Sequence, residues 1–235
     1  MVPFNRRNLV DCNMKHVLVT GAGGQLGRRI VNDLMAANYV ITAVSRNAKK
    51  LNMLRSLDDK KKLKLIPCDL VNDNEVSRLG DVVDTVNVLV HLASGPPADP
   101  YNYTSCTEPV IMSINLIGIF NDQIDHAIIG SCTSVYGSPT GTRVAENHPT
   151  LPTSYYGASQ LASEKFWNIF SINSGKTVTC LRFAPLAPQD IDGMNKPTSG
   201  KDGELTIAEA SQAVLSAVRT PRAGVFNIYP NIAKR

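Results

Sequence analysis

A glycine-rich turn near the start of the chain constrains the fold more than any other feature. It follows an apolar, β-branched run at residues 15–20 and precedes an amphipathic run at 25–37. The first run predicts a buried strand. The apolar residues Leu26, Ile30 and Leu34, four positions apart, predict a helix with one buried face. A turn of this composition between a first strand and a first helix is typical of α/β folds that bind dinucleotides.

The glycines explain what such a turn can bind. Gly21 permits a tight turn, Gly24 lets backbone N–H groups approach a pyrophosphate, and Gly27 lets the helix pack closely against the strand. The phosphates would lie at the helix N-terminus, where unpaired N–H groups and the positive end of the helix dipole meet. We predict a dinucleotide site at Gly21, Gly23, Gly24, Gln25, Leu26 and Gly27.

Strand and helix patterns alternate along the rest of the chain. Further strands are predicted at 39–44, 63–66, 86–90, 127–129, 177–181 and 225–228, and helices near 47–57, 73–80, 108–121, 155–172 and 206–219. This alternation calls for right-handed βαβ crossovers and a parallel sheet covered on both faces. We expect an α/β fold of the Rossmann type, a doubly wound parallel sheet with a small C-terminal substrate-binding portion. Residues 15–235 would form this single domain, after an N-terminal extension at 1–14.

Composition excludes several classes of protein. With 43% hydrophobic and 19% charged residues, the chain of 235 residues has enough apolar material for one sizeable core and too little charge for disorder. No apolar stretch reaches the ~18 residues of a membrane span, and a net charge of +4 is too mild to predict a nucleic-acid partner. The five cysteines form no Cys-x-x-Cys, and no metal-ligand spacing occurs. We therefore expect reduced thiols, no metal site and a cytoplasmic location.

The end of the second strand bears on which dinucleotide would bind. NAD-preferring sites often place Asp or Glu there, where a carboxylate binds the ribose 2′-OH. This chain has Arg46 and no carboxylate in the stretch 44–47. Because a guanidinium pairs with phosphate through a bidentate fork, we predict a preference for NADP, with NAD as the alternative. A surface role for Arg46 without ligand contact stays open.

Seven short motifs follow one another along the chain. They are Gly21-x-x-Gly24-x-x-Gly27, Cys68-Asp69-Leu70, His91-Leu92-Ala93-Ser94, Asn115-x-x-Gly118, Val135-Tyr136-Gly137, Tyr156-Gly157-x-Ser159 and Leu181-Arg182. On these motifs the chain resembles the extended short-chain dehydrogenase/reductase family, of the NAD-dependent epimerase/dehydratase type, over about residues 15–230. The resemblance implies cofactor contacts from Asp69, Leu70, Leu92, Ala93, Ser94, Asn115, Tyr156 and Gln160.

The resemblance also implies a catalytic tyrosine, and here the sequence departs from the family pattern. In the family a Tyr exchanges a proton with the substrate oxygen, and a Lys four residues later lowers its pKa and binds the nicotinamide ribose. Tyr156 is present, but Gln160 stands at the Lys position. An amide can bind a ribose hydroxyl but carries no charge, so the main pull on the tyrosine pKa is lost. The nearest Lys in sequence, Lys165, would lie on a different helical face.

The family's third catalytic position is a Ser or Thr that hydrogen-bonds the same substrate oxygen. Counted back from Val135, this position falls on Cys132, whose thiol is a weak donor. Ser131, Thr133 and Ser134 flank it, so a shift of one residue in register would restore a hydroxyl. Cys132 is therefore either a substrate-contacting thiol or a small apolar residue that fills the end of a strand.

Substrate would bind beyond the carboxyl ends of the strands, as in other open α/β sheets. The segments that fall there lie near 94–107, 138–153 and 184–204. Their residues do not separate a nucleotide sugar from a smaller sugar-like substrate.

The helix before the fifth strand bears on assembly. Gly118 and Gly130 leave too little chain between them for a full helix plus a strand, so we expect this helix to be cut to one or two turns. In the family this helix usually flanks the oligomer interface, and a homodimer is then an open question.

Two functions follow from these residues. The first is an NADP-preferring oxidoreductase, epimerase or dehydratase that acts on a hydroxyl or carbonyl of a sugar-like small molecule. The second is a dinucleotide-binding relative with non-redox, atypical or lost catalysis, because the Tyr–Lys pair is incomplete. Gln160 is the residue that separates the two. A scaffold protein that binds no dinucleotide is a third, more distant interpretation.

Overall fold

The computed structural model describes residues 15–57, 62–83, 85–94, 100–103, 105–138, 143–187 and 204–231. Its strands are β1 (His16–Thr20), β2 (Val40–Ser45), β3 (Leu63–Pro67), β4 (Val88–His91), β5 (His126–Cys132), β6 (Thr177–Phe183) and β7 (Gly224–Ile228). Its helices are α1 (Gln25–Ala36), α2 (Ala48–Asn52), α3 (Asp73–Val82), α4 (Glu108–Phe120), α5 (Tyr155–Ser174) and α6 (Ile207–Arg219), with short 3-10 turns at Met53–Leu57, Ser105–Thr107 and Thr133–Tyr136. The extension predicted at 1–14 and most of the third substrate segment, 188–203, lie outside the described residues.

The seven strands form one parallel sheet in the order β3-β2-β1-β4-β5-β6-β7. The chain builds one half outward from β1 through β2 to β3, and then returns to the other side of β1 to start the second half at β4. This is the doubly wound, Rossmann-type architecture that the alternating pattern predicted, and the prediction is confirmed. Strand order reverses between β1 and β4, which opens a crevice at their carboxyl ends.

Helices cover both faces of the sheet and form two cores. Successive residues of β1 point to opposite faces, so Val17 and Val19 belong to one core and Leu18 to the other. Helices α1 and α6 cover the first face, and α3, α4 and α5 cover the second. The two largest fully buried side chains of the second core are Phe120 and Trp167.

Helix α4 corrects one expectation. It spans 13 residues, from Glu108 to Phe120, so the prediction that it is cut to one or two turns is wrong. The helix begins well before Asn115, and its connection to β5 takes only residues 121–125. Counting the room between Gly118 and Gly130 failed because that count starts near the C-terminal end of the helix. The shortening is therefore no argument against a homodimer.

Helix α5 carries Tyr156 and Gln160, and local chemistry fixes both of its ends. The side chain of Ser154 accepts a hydrogen bond from the amide of Gly157, 3.1 Å away, and caps the N-terminus. Gly175 ends the helix with a φ of 70°, a left-handed conformation that glycine adopts without a Cβ clash. In the part of the chain that the structure describes, no helix combines the length and the apolar composition needed to cross a bilayer.

A buried histidine at the start of β5 makes stability depend on pH. His126 is 3% exposed, and its Nε2 lies 2.8 Å from the Thr179 hydroxyl oxygen. Burial, helped by the charge of Lys15, lowers the pKa of His126 from 6.5 to about 4. Between these two pH values the unfolded chain binds a proton that the folded chain does not bind. The free energy of unfolding therefore falls as the pH falls from 6.5 towards 4.

We expect His126→Gln to flatten this dependence by up to about 1.4 kcal/mol per pH unit within that window. Urea unfolding at several pH values between 4 and 6.5 measures the slope. The matched control is His148→Gln, which removes an exposed imidazole and should keep the wild-type slope. Equal slopes for the two variants would contradict the assignment.

Candidate cofactor and catalytic site

The carboxyl ends of the first strands meet at one edge of the sheet and open into a cleft. Because the strands are parallel, residues that follow different strands converge there. The cleft is lined by these strand ends and by the start of α4, through Gly21, Val44, Ser45, Arg46, Cys68, Asp69, Leu70, Ala93, Ser94, Glu108 and Met112. Six residues of the predicted cofactor site line this cleft. The structure therefore brings the glycine-rich turn together with the residues predicted after β2, β3 and β4.

The glycine-rich turn packs tightly against the end of β4. Gly21 has a φ of 69°, and a Cβ there would lie 2.7 Å from the Leu92 carbonyl carbon and from the Ala93 amide nitrogen. A Cβ on Gly27 would overlap the carbonyl oxygen of Gly21. Gly24 is the N-cap of α1 and has no side chain to cap the amides of the first turn. The turn therefore presents the positive end of a helix to the cleft, which fits the pyrophosphate of a dinucleotide.

The other residues predicted around this turn have varied surroundings. A Cβ on Gly23 would lie 2.6 Å from the Ser45 hydroxyl oxygen, so Gly23 sets the spacing between the turn and β2. Gln25 is exposed, whereas Leu26 and Leu92 are partly buried and pack against the core on the α1 side of the sheet. A cofactor contact from Gln25, Leu26 or Leu92 stays a prediction, and it concerns their backbone rather than their side chains.

Arg46 forms an ion pair across the cleft. Its Nη1 lies 3.2 Å and 3.3 Å from the two carboxylate oxygens of Glu108, at the start of α4. The Arg46 side chain is 57% exposed and the Glu108 side chain 27%, so a ligand in the cleft could reach both. The pair lies at the end of β2, where the 2′ group of a cofactor is predicted to bind.

Hydrogen bonds order the loop after β3 that forms another wall of the cleft. Asp69 accepts at Oδ1 from the amide of Val71, 3.2 Å away, and its own amide donates to Glu75 at 2.8 Å. Asn115 on α4 donates to the Leu70 carbonyl oxygen at 3.0 Å. Asp69 and Leu70 therefore line the cleft, while Asn115 supports that wall from α4.

His91, the last residue of β4, is a buried structural group beneath the cleft. Its Nδ1 lies 2.8 Å from the Thr20 hydroxyl oxygen, and its ring centroid lies 6.2 Å from that of Trp167. Burial lowers the pKa of His91 to about 4, so the imidazole is neutral at physiological pH. It ties β4 to β1 and is not placed to exchange protons with a ligand.

The phenol of Tyr156 connects to the cleft through Ser94. The Tyr156 hydroxyl oxygen lies 2.9 Å from the Ser94 hydroxyl oxygen, and the Gln160 amide donates to the same Ser94 oxygen at 2.7 Å. Tyr156 and Gln160 are four residues apart on α5 and so reach one point. The structure therefore brings both residues of the incomplete Tyr–Lys pair together and adds Ser94 between them.

The surroundings of Tyr156 keep its phenol protonated. Burial raises the pKa of Tyr156 to about 12 and the Cys132 thiol adds to the rise, while hydrogen bonds with Ser94 and Gln160 oppose it. None of these described groups is a cation. Lys165 is exposed on α5, as its place on the helix predicts. At physiological pH the phenol can donate a proton, but it is a poor base.

The end of β5 places Cys132 beside Tyr156. The Cys132 sulfur lies 2.6 Å from the Ser134 hydroxyl oxygen, and it also interacts with the Tyr156 hydroxyl. Burial raises the pKa of the Cys132 thiol, so the thiol is neutral. Ser131 instead donates to Glu164 at 2.6 Å and is buried. Of the residues considered for the family's Ser/Thr position, the structure brings Cys132 to the phenol, and the hydroxyl of Ser134 contacts the Cys132 sulfur.

A buried ion pair anchors α5 to the sheet behind Tyr156. Arg182 on β6 donates to the two oxygens of Glu164 at 2.9 and 2.6 Å, and these side chains are 6% and 5% exposed. Burial alone would lower the pKa of Arg182, but the contacts with Glu164 and Tyr136 raise it above its ordinary value. Glu164 shares a helix face with Tyr156 and Gln160. The ion pair therefore fixes the face of α5 that carries both.

The same network reaches the second predicted substrate segment. Arg182 donates to the Tyr136 hydroxyl at 2.7 Å, Tyr136 donates to the Asn227 side-chain oxygen at 2.8 Å, and Asn227 donates to the Val144 carbonyl at 2.8 Å. Thr133, half-buried, begins the 3-10 turn that carries Tyr136. One chain of hydrogen bonds thus joins β6, β7 and the described part of the segment 138–153.

Sequence reasoning missed Glu108 and Met112, which line the cleft. Glu108 has an ordinary local reason to be present, because acidic residues stabilise the first turn of a helix. The signal that could have found it is topological. A helix that follows β4 starts at the carboxyl edge of the sheet, so the predicted helix start at 108 already placed this carboxylate near the cleft.

Comparison with known proteins gives a match over most of the chain. The model of the NAD dependent epimerase/dehydratase family matches residues 17–199. Similar curated proteins include the UDP-glucose 4-epimerases of Mycolicibacterium smegmatis, 25% identical over 213 residues, and of Azospirillum brasilense, 26% identical over 225 residues. The alignments cover 86% and 89% of this chain, but 64% and 59% of those proteins. The chain therefore spans less than two thirds of the length of these relatives.

Solved structures share the fold. The UDP-Glc/GlcNAc 4-epimerase of Campylobacter jejuni aligns with a TM-score of 0.79 at 19% identity, over 92% of this chain and 78% of that chain. The Thermus thermophilus UDP-glucose 4-epimerase, solved in complex with NAD, aligns with a TM-score of 0.73 at 22% identity, over 91% and 77%. The Rossmann-type α/β fold is common to all of them.

We expect Glu164→Gln to destabilise the protein by about 3–5 kcal/mol, because the change leaves the buried charge of Arg182 without a counter-charge. The free energy of unfolding in urea measures the effect. The control is Arg29→Gln, which breaks the more exposed Arg29–Asp33 pair and should cost less than about 1 kcal/mol. A similar small cost for both variants would show that the Glu164–Arg182 pair does not anchor α5.

Proposed function

The chain belongs to the NAD-dependent epimerase/dehydratase family, and we propose that it is an enzyme that uses a nicotinamide dinucleotide to act on a hydroxyl or carbonyl of a sugar-like small molecule. One observation carries this proposal. A single cleft runs from the glycine-rich turn and Arg46 to Ser94, and Ser94 is hydrogen-bonded to the phenol of Tyr156. Phosphate-binding geometry and a proton-bearing group therefore lie at one site.

The residues present fit the dinucleotide that the family implies. A bound nicotinamide dinucleotide would supply hydride transfer. In this chain the N-terminus of α1 would bind the pyrophosphate, with Gly24 giving access to its amides. Asp69 and Leu70 would contact the adenine end of the cofactor, and Gln160 would hydrogen-bond the nicotinamide ribose.

Tyr156 would hold the proton that the substrate oxygen receives. Its pKa of about 12 keeps it protonated, so it donates to a carbonyl oxygen more readily than it accepts a proton from a hydroxyl. Cys132, which interacts with the phenol, would orient that oxygen as a weak donor. The Ser134 hydroxyl, 2.6 Å from the Cys132 sulfur, would add a stronger donor next to it. A role for Thr133 or Ser131 in contact with substrate has less support, since Ser131 is bonded to Glu164.

We propose a nucleotide sugar of the UDP class as the substrate. The support is that the curated relatives are named as UDP-glucose 4-epimerases. Ser94, in the first of the predicted substrate segments, is hydrogen-bonded to the phenol. The described part of the segment 138–153 is joined by hydrogen bonds to Arg182, which pairs with Glu164 on the helix that carries Tyr156. Whether the chain catalyses an epimerisation, a dehydration or a reduction depends on residues of these segments.

A second candidate function has its own supporting observation. The missing Lys leaves the pKa of Tyr156 raised rather than lowered, so a step that needs the phenolate is disfavoured. A dinucleotide-binding protein with non-redox, atypical or lost catalysis needs no phenolate, so the raised pKa of Tyr156 would not impair its function. The two candidates share the cofactor site and differ in whether Tyr156 turns over substrate.

The choice of cofactor is a finer point of the same proposal. Arg46 at the end of β2 supports NADP, because its guanidinium would pair with a 2′-phosphate. The carboxylate that would favour NAD is absent from β2, yet Glu108 lies 3.2 Å from Arg46. The related Thermus thermophilus structure holds NAD, which supports NAD as the alternative.

Assembly and location complete the proposal. Helices α4 and α5 pack together and expose Ile114, Ile169 and Ile172, an apolar face that a second copy of the chain could cover. This supports a homodimer. A cytoplasmic location is supported by the described cysteines, Cys68, Cys106, Cys132 and Cys180, which are all free thiols.

Tyr156→Phe tests the proposed enzyme directly. We expect the wild type, supplied with NAD or NADP, to convert UDP-glucose or UDP-N-acetylglucosamine to a product that chromatography separates from the substrate. Tyr156→Phe should slow this about 100-fold or more, because the group that exchanges a proton with the substrate oxygen is removed. Tyr155→Phe, which alters the exposed neighbour, should retain wild-type activity. Equal rates for the wild type and Tyr156→Phe would refute the role of the phenol.

Gln160→Lys separates the two candidate functions. The new ammonium should lower the pKa of Tyr156 by at least about one unit, which gives tenfold more phenolate at a given pH. The pH at which tyrosinate absorbance appears, measured relative to Tyr156→Phe, reports the shift, and thermal unfolding confirms that the variant is folded. A rise in turnover supports the enzyme. A lowered pKa with unchanged or reduced turnover supports the second candidate.

A further inference from the structure

The chain lacks the carboxylate that NAD-preferring sites often have at the end of β2. The fold brings a carboxylate to this place from α4. Glu108 belongs to α4, 62 residues from Arg46 in sequence, yet both of its carboxylate oxygens lie within 3.3 Å of the Arg46 guanidinium. Both residues line the same cleft, next to Ser45 at the end of β2. The position that a ribose 2′ group would occupy is therefore bordered by a cation and an anion.

We propose that Glu108 determines the cofactor specificity of this site, by competing with a 2′-phosphate for Arg46. The inference rests on the proposed function, since it requires that a dinucleotide binds in the cleft. It adds a residue that sets which of the two dinucleotides binds more tightly.

The charges explain the competition. A 2′-phosphate binds Arg46 well only if the guanidinium can turn both of its N–H groups towards it. The Glu108 carboxylate already accepts from Arg46 and would repel the phosphate at close range. The hydroxyl of NAD carries no charge, so it meets no such repulsion, and Glu108 can accept its hydrogen bond as an Asp on β2 does in other sites.

Among the described carboxylates that line the cleft, Glu108 is the one that contacts Arg46. Among the described residues that line the cleft, Arg46 is the one cation, and the carboxylates are Glu108 and Asp69. Asp69 accepts a bond from the amide of Val71 within its own loop. Glu108 and Arg46 are 27% and 57% exposed, so their ion pair is solvated enough to open when a ligand arrives.

The test is the ratio of dissociation constants for NAD and NADP. In Glu108→Gln we expect Kd(NAD)/Kd(NADP) to rise about fivefold, the upper end of the effect of one charge at a partly exposed site. The gain should come from tighter NADP binding, and adding Arg46→Ala to this variant should abolish most of it. Isothermal titration of the full chain at low and at high salt measures both constants, and high salt should shrink the change.

The matched control is Asp73→Asn. Asp73 is the first residue of α3, as Glu108 is of α4, and it is exposed outside the cleft lining. The substitution Asp73→Asn removes the same charge from the same helical position, and it should leave Kd(NAD)/Kd(NADP) within twofold of the wild type. The inference is overturned if Glu108→Gln leaves the ratio Kd(NAD)/Kd(NADP) within threefold of the wild type. It is also overturned if Asp73→Asn raises this ratio as much as Glu108→Gln does. A wild type that binds neither dinucleotide overturns the proposed function as well, and so the two failures are distinguishable.

Discussion

Strands β1 and β4 lie side by side although the chain forms β2 and β3 between them, and the site depends on this reversal. It brings the glycine-rich turn after β1 against the backbone after β4, so closely that a Cβ on Gly21 would lie 2.7 Å from the Leu92 carbonyl carbon. Because every strand is parallel, Arg46, Asp69 and Ser94, which follow strand ends, lie at the same edge as Cys132, the last residue of β5. The cleft is therefore a consequence of topology, and the side chains determine only what it can do.

What the side chains can do is limited by charge. Gln160 donates to Ser94, which leaves the Ser94 proton free to point at the Tyr156 oxygen. This arrangement offers the phenolate a neutral donor where a Lys would offer a full positive charge. A neutral hydrogen bond opposes burial only partly, and so the pKa of Tyr156 stays raised. The geometry of a proton-transfer site is present, and its driving force is weaker than in a site with an ammonium.

The sequence predicted local features well and long-range pairings poorly. The spacing of Leu26, Ile30 and Leu34 placed α1 correctly, because a buried helix face repeats every three to four residues. Side-chain direction at Cys132 and Ser131 was not predictable, since one residue of register moves a strand residue to the other face. The Arg46–Glu108 pair joins residues 62 apart, and only the crossover from β4 to α4 brings them together.

The glycine-rich turn and the side chains around Tyr156 differ in how they respond to substitution. This difference explains why family membership says more about the cofactor than about the reaction. The glycine-rich turn, proposed to bind the pyrophosphate, is built from backbone contacts at Gly21 and Gly27, where any side chain would clash. Such a site keeps its glycines or is lost. The proposed catalytic end is built from side chains at Cys132 and Gln160, where a different residue can still pack but carries different chemistry. A chain can therefore retain the fold and the cofactor cleft of its family while its proton chemistry changes, so the reaction has to be argued from the site itself.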